Sequence, residues 1–449
     1  MKKYDVVIIG ASAAGATAAI TAKRFYKDKS MLIIRSDKLV PIPCGIPYIF
    51  GTVMDAEKNL IPVDNIMAGK RVDVLVDTVT KIDKALKRVM VSNEEIAYDK
   101  LIVATGSNPI KPRIPGIDLG NVFPILKNVD YLKSILNAVN SPKHIVIIGG
   151  GFIGVEMAEE FKKANQAHQV SIVEMQAHCL NLVYDEDFSS LAEEGLTSEG
   201  IALLTDEKVV ALKGDQYVTS VALASGKSVK ADVVILGIGC VPNVDLAKAA
   251  GLKIGQLGGI EVYPNMQTSD PDIFACGDCA EKISFFDKKP SGLRLASIAT
   301  MEARIAGANL FKPHRSNNGV VGCFSTSINQ KAFAAAGLTA QEATLKGIDF
   351  VIGNAESINR HPGLMPGAET LKVRLLFNKE NQTIIGGQIY GASSGGELIN
   401  AISAFISQEM KADDLALFQA GTHPALTASP IAYQVVNAAE DALQKLRTI

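Results

Sequence analysis

The chain has 449 residues, which is too long for one hydrophobic core and favours about three domains of ~150 residues each. Its 45 basic and 47 acidic residues give a net charge of −2, which excludes the strongly charged surface typical of binding to nucleic acid or anionic lipid. No apolar stretch approaches the ~20 residues that cross a bilayer, so we expect a cytoplasmic protein that acts on small molecules and not at a membrane.

The first predicted element is a buried strand over Tyr4–Ile9, followed by the turn Gly10-Ala-Ser-Ala-Ala-Gly15 and an alanine-rich helix through Arg24. This order is typical of dinucleotide binding, because a pyrophosphate binds at the N-terminus of such a helix. Ser12 stands where the motif usually has its middle glycine. The sequence therefore predicts a nucleotide site with an atypical turn.

The same pattern returns in a second unit. A strand over Ile145–Ile148 leads into Gly149-Gly-Gly-Phe-Ile-Gly154 and a helix that carries Glu156. A constant offset of 139 positions relates the units: Gly10 matches Gly149, Gly15 matches Gly154, and Arg35 matches Glu174. Two such matches are far more specific than one, and they indicate an internal duplication.

The residues at the ends of the second strands differ between the two units. Glu174 ends the strand Val170–Val173, where a carboxylate accepts hydrogen bonds from ribose hydroxyls and repels a 2'-phosphate. This favours NADH over NADPH as the nicotinamide nucleotide. Arg35 cannot accept such a bond, so it is either an unusual cofactor contact or a solvated strand end.

Three further apolar strands end in glycine or acid. They are Leu101–Gly106, Val233–Gly239 and Asp272–Asp278, and the first two are typical of places where a chain crosses between domains near a cofactor. Asp278 follows Gly277 and is either a ligand of ribityl hydroxyls or an ordinary turn aspartate.

Together these segments resemble the FAD-dependent pyridine nucleotide-disulfide oxidoreductases, from Tyr4 to about Tyr433. The resemblance implies an α/β fold with two Rossmann-like nucleotide-binding domains, for FAD and NAD, and an α+β C-terminal dimerisation domain. It implies an FAD domain over residues 1–111 and 244–316, an NAD domain over 112–243, and a dimerisation domain over 317–449.

The resemblance also implies a set of cofactor-binding residues and no metal site. It implies that Asp278 binds FAD and that Phe152 lies at the nicotinamide site, where relatives often carry tyrosine. The full set is Gly10, Ser12, Ala14, Gly15, Arg35, Ala104, Thr105, Gly106, Gly149, Gly151, Phe152, Gly154, Glu156, Glu174, Gly239, Asp278 and Ala296.

Cys44 is the predicted catalytic thiol. The segment Pro43-Cys-Gly-Ile-Pro-Tyr48 resembles the single-cysteine branch of the family, which contains coenzyme A-disulfide reductases, NADH oxidases, NADH peroxidases and persulfide reductases. Residue 49 is isoleucine, where the two-cysteine branch has its second cysteine. A thiolate placed against the flavin could attack a disulfide or sulfane sulfur. The alternative is a small buried core residue.

The other cysteines are predicted to be structural. Cys276 and Cys279 have Cys-x-x-Cys spacing, but Asp278 lies between them and there is no second pair to complete a metal site, so burial explains both thiols. The remaining three, Cys179, Cys240 and Cys323, lack even that context.

His423 is the candidate acid-base residue. The segment Gly421–Pro430 resembles the His-Pro segment of two-cysteine relatives, in which the histidine acts across the dimer interface. Ala428 stands where those relatives place a glutamate that orients the ring, so a catalytic role and a structural one remain open. His361 either lines a substrate entrance or is an ordinary loop histidine.

The sequence thus predicts a homodimeric FAD enzyme that passes electrons from NADH through Cys44 to a small disulfide, persulfide or polysulfide, with a coenzyme A compound as the natural candidate. An NADH oxidase or peroxidase that reduces oxygen or peroxide has the same motifs. A third possibility is an electron-transfer reductase for a carrier protein, against which Cys44 and the long C-terminal domain argue.

Overall fold

A computed structural model describes residues 1–447. Their contacts group them into two compact units. Unit 1 contains residues 1–113, 121–141 and 238–320, and unit 2 contains residues 114–120, 142–237 and 321–447. Residues 142–237 of the predicted NAD-binding segment therefore belong to the same unit as the C-terminal segment, whereas residues 121–141 belong to unit 1.

The strands are short and numerous, as expected for a duplicated α/β chain with an additional sheet. Over residues 1–447 they are, in chain order, β1 (Lys2–Ile9), β2 (Met31–Arg35), β3 (Asp73–Val76), β4 (Lys81–Asp83), β5 (Arg88–Met90), β6 (Glu95–Val103), β7 (Ser107–Pro109), β8 (Val122–Pro124), β9 (His144–Ile148), β10 (Gln169–Val173), β11 (Ala202–Leu204), β12 (Val209–Gly214), β13 (Val218–Leu223), β14 (Ser228–Lys230), β15 (Val233–Leu236), β16 (Cys240–Pro242), β17 (Ile273–Ala275), β18 (Lys282–Ile283), β19 (Pro290–Ser291), β20 (Cys323–Ile328), β21 (Lys331–Gly337), β22 (Phe350–Ile358), β23 (Thr370–Asn378) and β24 (Ile384–Gly391).

The helices of the same residues include one after each glycine-rich turn. In chain order they are α1 (Ala13–Phe25), α2 (Val63–Ala68), α3 (Val129–Ala138), α4 (Phe152–Ala164), α5 (Glu186–Ser198), α6 (Asp245–Ala249), α7 (Ala296–Asn309), α8 (Ala340–Leu345), α9 (Gly395–Ser407), α10 (Ala412–Ala416) and α11 (Gln434–Arg447). Four 3-10 turns span Pro43–Gly45, Pro47–Phe50, Ala56–Lys58 and Pro430–Ala432.

Unit 1 is built on a sheet in the order β3-β2-β1-β6-β5-β4, with β17 also paired to β6. The pairs of β1 with β2 and β6 are parallel, as are β2 with β3 and β6 with β17. Val6, Val7 and Ile8 of β1 are fully buried, as expected for a parallel strand covered on both faces. Helices α1 and α7 pack closely, since a Cβ on Gly307 would lie 2.6 Å from the carbonyl oxygen of Ala18.

Unit 2 contains a second parallel arrangement, in which β9 lies between β10 and β15 and β11 pairs with β10. Its C-terminal part is an antiparallel sheet in the order β20-β21-β24-β23-β22, covered by α9 and α11. The packing of α11 is tight, because a Cβ on Gly353 would lie 1.8 Å from the carbonyl oxygen of Ala438. The predicted fold class, two Rossmann-like folds and an α+β C-terminal part, is confirmed.

In the chain up to residue 447, none of the helices combines the length and the apolar character that a bilayer span requires.

Candidate active site

The first glycine turn is closed by contacts that only glycine allows. Gly10 has a φ of +102°, and a Cβ there would lie 2.2 Å from the carbonyl oxygen of Ala104. A Cβ on Gly15 would lie 1.8 Å from the carbonyl oxygen of Gly10. Ser12 is the N-cap of α1. The turn therefore presents the first N–H groups of α1 at the edge of the parallel sheet, where a pyrophosphate can bind them.

Asp278 lies beside this turn. Gly277 has a φ of +77°, and a Cβ on it would lie 2.8 Å from Cβ of Ala14 in α1. Ser107 donates its hydroxyl to Oδ2 of Asp278 at 2.8 Å, and Nζ of Lys127 lies 3.5 Å from the same oxygen. Neither partner was predicted from the sequence. Ser107 directly follows the Gly106 motif and could have been suspected, whereas nothing near Lys127 marks it.

A buried ion pair fixes the Gly277 turn from behind. Oε2 of Glu302 accepts the N–H of Gly277 and Nζ of Lys282, each at 2.9 Å. The side chains of Lys282 and Glu302 are 3% and 0% exposed. Burial raises the pKa of Glu302 to about 7. Lys282 also donates to the carbonyl oxygens of Gly277 and Ala280, so both residues of the pair are hydrogen-bonded to the turn that carries Asp278.

The two segments that were predicted to cross between domains near the cofactor lie side by side. β7 pairs with β16 in antiparallel fashion, and the hydroxyl of Thr105 donates to the carbonyl oxygen of Asn243 at 2.6 Å. Gly106 and Gly239 have φ angles of +71° and +91°. Ala296 is the first residue of α7.

Cys44 is exposed, so the alternative of a buried core cysteine is wrong. It lies in the 3-10 turn Pro43–Gly45, which Asn59 holds in place. The side-chain amide of Asn59 donates to the carbonyl oxygen of Ile42 at 2.9 Å, and the N–H of Ile42 donates to the carbonyl oxygen of Asn59 at 3.0 Å. A Cβ on Gly45 would lie 2.1 Å from Oδ1 of Asn59, which is buried.

This clamp joins both flanks of the thiol to a segment fifteen residues further along the chain. Asn59 was not predicted from the sequence, because an asparagine in a loop carries no local sign of such a contact.

Arg35 is buried and paired with Asp64, so the alternative of a solvated strand end is wrong. The burial follows from its place as the last residue of β2, which pairs with β1 on one side and β3 on the other. A guanidinium cannot lose its proton at physiological pH, and a buried one therefore needs an anion beside it.

The second glycine turn, in unit 2, repeats the first. Gly149 has a φ of +107°, and a Cβ on Gly154 would lie 2.0 Å from the carbonyl oxygen of Gly149. Gly151 is the N-cap of α4, and a Cβ on it would meet no atom within 4 Å. Such space at the middle glycine is what close approach of a pyrophosphate requires.

Glu174 is held next to this turn. Its two carboxylate oxygens accept the N–H of Gly150 at 2.6 Å and the N–H of Gln176 at 2.8 Å. Cys179 packs behind the turn, since a Cβ on Gly150 would lie 2.7 Å from its Sγ. Burial raises the pKa of Cys179 to about 12, so this thiol is inert near neutral pH.

The face of α4 that carries Phe152 and Glu156 packs against β20. The rings of Phe152 and Phe324 stack with centroids 5.3 Å apart. The hydroxyl of Thr326 donates to Oε1 of Glu156 at 2.7 Å, and burial raises the pKa of Glu156 to about 7. In this structure Glu156 thus contacts the C-terminal sheet, and its predicted role in cofactor binding stays a prediction.

His423 lies on an exposed loop of unit 2. Its Nδ1 accepts the N–H of Ala425 at 3.2 Å, which places the proton of the neutral ring on Nε2. Thr427 donates to and accepts from the backbone of His423, and its carbonyl oxygen lies 3.1 Å from Nδ1 of His361. The loops that carry the two histidines are therefore joined through Thr427. Within residues 1–447, the ring of His423 forms no hydrogen bond or ion pair with a carboxylate.

Cys276 and Cys279 are buried, as predicted. Burial raises the pKa of both thiols, and Sγ of Cys279 lies 3.4 Å from the carbonyl oxygen of Val103. They belong to the core beneath the Asp278 turn. Among residues 1–447, no three His, Cys, Asp or Glu side chains form a cluster able to hold a metal ion.

The residues present fit the two dinucleotides that the sequence implies. Unit 1 combines the Gly10 turn, the α1 N-terminus and the Asp278 carboxylate, which suit the pyrophosphate and the hydroxyls of FAD. Unit 2 combines the Gly149 turn with a fixed carboxylate at Glu174, which suits a nicotinamide nucleotide with an unmodified ribose.

Comparison with known proteins agrees with this chemistry. Residues 4–303 match the pyridine nucleotide-disulphide oxidoreductases, and residues 325–431 match the dimerisation domain of the same family. An NADH oxidase of Methanocaldococcus jannaschii is 32% identical over 98% of this chain and 99% of its own length. An NAD(P)H coenzyme A polysulfide/persulfide reductase of Pyrococcus horikoshii is 31% identical over 87% of this chain and 88% of its own.

Among solved structures, an NAD-dependent persulfide reductase from A. fulgidus superposes with a TM-score of 0.91 at 30% identity, over 99% of this chain and 84% of its own. The chain belongs to the pyridine nucleotide-disulphide oxidoreductase family.

Proposed function

We propose that this protein is an FAD-dependent NADH oxidoreductase that reduces a small disulfide, persulfide or polysulfide through Cys44. The observation that carries the proposal is an exposed cysteine in a clamped turn, within the same unit as the predicted FAD residues. Exposure gives a substrate sulfur access to Sγ, and the clamp fixes where Sγ lies.

The chemistry assigned to Cys44 is thiol-disulfide exchange. Its thiolate attacks one sulfur of the substrate, forms a mixed disulfide and releases the other sulfur as a thiolate. Two electrons from NADH then return Cys44 and the bound sulfur to the thiol level. FAD, when bound, supplies the two-electron transfer between the nicotinamide and the sulfur.

A coenzyme A disulfide, coenzyme A persulfide or inorganic polysulfide is the substrate class we favour, because two similar proteins with persulfide reductase activity in their names span nearly this whole chain. The direct experiment is steady-state oxidation of NADH by the purified protein with each of these acceptors, and with peroxide and oxygen. The proposal expects the highest kcat/KM for a sulfur acceptor. A sulfur acceptor no better than oxygen would contradict it.

An NADH oxidase or peroxidase is the second candidate, and the 32% identity to an NADH oxidase favours it. In that function Cys44 would be oxidised by peroxide to a sulfenic acid, which two electrons return to the thiol with release of water. The same set of acceptors separates the two candidates, since this one expects peroxide or oxygen to give the highest kcat/KM.

We also propose a homodimer formed by the C-terminal part of the chain. The match to the family's dimerisation domain over residues 325–431 supports it. Five large apolar side chains in this region are at least 69% exposed, namely Leu345, Leu364, Leu417, Leu426 and Ile431. Apolar side chains on a solvent-facing surface often mark an interface with another protein.

A cytoplasmic location completes the proposal. NADH is a cytoplasmic reductant, and the buried Cys276 and Cys279 are thiols and not a disulfide. Fractionation of the native cells with an antibody to the protein tests this location.

A further inference from the structure

The end of β2 departs from the usual chemistry of a dinucleotide site. In a Rossmann-like unit, the residue at the end of the second strand is typically an acid whose carboxylate accepts hydrogen bonds from the adenine ribose. Glu174 meets this description in unit 2, whereas Arg35 occupies the equivalent place in unit 1. Arg35 lies next to the glycine turn, because the N–H of Gly10 donates to the carbonyl oxygen of Ile34 at 2.8 Å.

Arg35 brings a carboxylate to this strand end from another element. Its Nη2 donates to Oδ1 and Oδ2 of Asp64 at 2.9 and 2.8 Å. Asp64 belongs to the first turn of α2. The arginine side chain is 6% exposed and the aspartate side chain 66% exposed. The pair therefore has a buried cation on the strand and an accessible anion above it.

We propose that Asp64 is the carboxylate that binds the adenine ribose of FAD, and that Arg35 is its positioning residue. The proposal rests on the proposed function, because it presumes that unit 1 binds FAD. A guanidinium has only donors and cannot accept a bond from a ribose hydroxyl. A carboxylate has about four acceptor sites, so the two contacts with Nη2 leave Asp64 able to accept from two hydroxyl groups.

A variant that removes only one residue of the pair would change both the binding of FAD and the stability of the folded protein. Loss of Asp64 alone strands a buried cation, and Nε of Arg35 already has no hydrogen-bond partner. The double variant Arg35→Gln/Asp64→Asn removes both charges together and leaves no buried ion. It is the form in which the ribose contact can be tested.

The experiment compares FAD with FMN, which lacks the adenosine. Flavin is removed from the holoenzyme, and binding of each flavin is measured by the change in its fluorescence. We expect Arg35→Gln/Asp64→Asn to weaken FAD binding at least tenfold, with no change in FMN binding. Asp28→Asn, which removes one exposed charge elsewhere in unit 1, serves as the matched control and should leave both affinities unchanged.

A rescue variant returns the carboxylate to the strand itself. In Arg35→Glu/Asp64→Asn the acid occupies the end of β2, as Glu174 does for β10. We expect this variant to recover FAD affinity to within about threefold of the parent protein.

Two results would overturn the proposal. One is FAD binding by Arg35→Gln/Asp64→Asn that is as tight as in the parent. The other is an equal loss of FAD and FMN affinity, which would mean that Asp64 only balances the charge of Arg35 in the folded protein and does not bind the ribose. Neither measurement involves turnover, so a parent protein that binds FAD but does not oxidise NADH would refute the proposed function and leave this assignment standing.

Discussion

At the residue scale, the proposed function assigns the choice of nucleotide to Glu174 and the exit of electrons to Cys44. Replacement of Cys44 by serine keeps the size of the side chain and removes its nucleophilicity. We expect Cys44→Ser to retain FAD and to accept electrons from NADH at the parent rate. Reduction of the sulfur acceptor should fall by a factor on the order of 100 or more.

Stopped-flow absorbance of FAD, after addition of NADH and then of acceptor, resolves the two half-reactions. Cys323→Ser is the control, because this partly buried thiol in β20 has no role in the proposal. Acceptor reduction by Cys44→Ser at the parent rate would remove Cys44 from the mechanism.

Glu174 is predicted to set the preference for NADH over NADPH. The N–H groups of Gly150 and Gln176 hold its carboxylate beside the glycine turn, so we expect this carboxylate to repel the 2'-phosphate of NADPH. We expect Glu174→Gln to narrow the ratio of kcat/KM for NADH over NADPH by about tenfold, which corresponds to ~1.4 kcal/mol.

Glu194→Gln makes the same change of charge on α5 and should leave the ratio unaltered. Equal kcat/KM values for the two nucleotides in the parent protein would refute the preference itself.

At the scale of elements, the turn that carries Cys44 depends on the fit between Gly45 and Asn59. A Cβ on Gly45 would collide with Oδ1 of Asn59, and this amide cannot move freely because it also donates to Ile42. We expect Gly45→Ala to slow acceptor reduction about tenfold. The double variant Gly45→Ala/Asn59→Ala removes the collision and should be faster than Gly45→Ala alone, with a coupling of about 1 kcal/mol.

The rate at which iodoacetamide alkylates Cys44 gives a second measurement of the same geometry. Purely additive effects of the two substitutions would show that the contact does not position the thiol. Lys58→Ala, on the exposed side of the neighbouring turn, is the control.

The contact between α4 and β20 predicts that the free energy of unfolding depends on pH. Burial raises the pKa of Glu156 from 4.5 to about 7, so the folded state holds a proton that the unfolded state has released between these values. The resulting stabilisation is fully present below pH 4.5 and is lost as the pH rises through about 7, with a maximum of ~3 kcal/mol. Glutamine keeps a neutral group, so Glu156→Gln should lack this dependence.

The measurement is the midpoint of thermal unfolding for parent and variant at several values between pH 5 and pH 8. We expect the midpoint of the parent to fall relative to that of Glu156→Gln as the pH rises. A difference that stays constant over this range would mean that Glu156 is ionised throughout. Glu194→Gln should show no change with pH relative to the parent.

For the whole molecule, the proposed homodimer predicts a shared active site. If Cys44 of one protomer works with His423 of its partner, a mixture of Cys44→Ser and His423→Ala proteins should recover activity after subunit exchange. Random exchange leaves one intact site in each heterodimer, which is about a quarter of all sites. Sedimentation confirms assembly, and acceptor reduction measures recovery.

No recovery despite demonstrated exchange of subunits would contradict the shared site. A fully active monomer would contradict the dimer itself.

Much of the nucleotide chemistry could be predicted from residues close together in the chain. Gly15 and Gly154 are required by contacts within their own strand-turn-helix units, and Gly10 and Gly149 are favoured by their positive φ angles, so spacing alone reveals them. Cys44 could be identified because its neighbours form a local turn with a characteristic sequence. Asp278 could be identified because it follows the strand that ends at Ala275.

The partners of these residues could not be predicted in the same way. Asn59, Asp64, Lys127 and Thr326 reach their partners from segments whose position depends on the packing of strands and loops. For the same reason, the alternative that Arg35 is a solvated strand end is wrong. A charged residue at a strand end is solvated unless neighbouring strands bury it.

The sequence by itself determined the duplication, the two glycine-rich turns and the family, and it singled out Cys44 as the candidate reactive thiol. Each of these depends on backbone geometry or chemistry within a few adjacent residues, which amino-acid identity restricts directly. Only the tertiary structure decided which side chains are buried, which carboxylate meets Arg35 and which amide holds Cys44. Such contacts join residues far apart in the chain, and folding brings them together through the burial of apolar surface, which fixes no particular polar pair in advance.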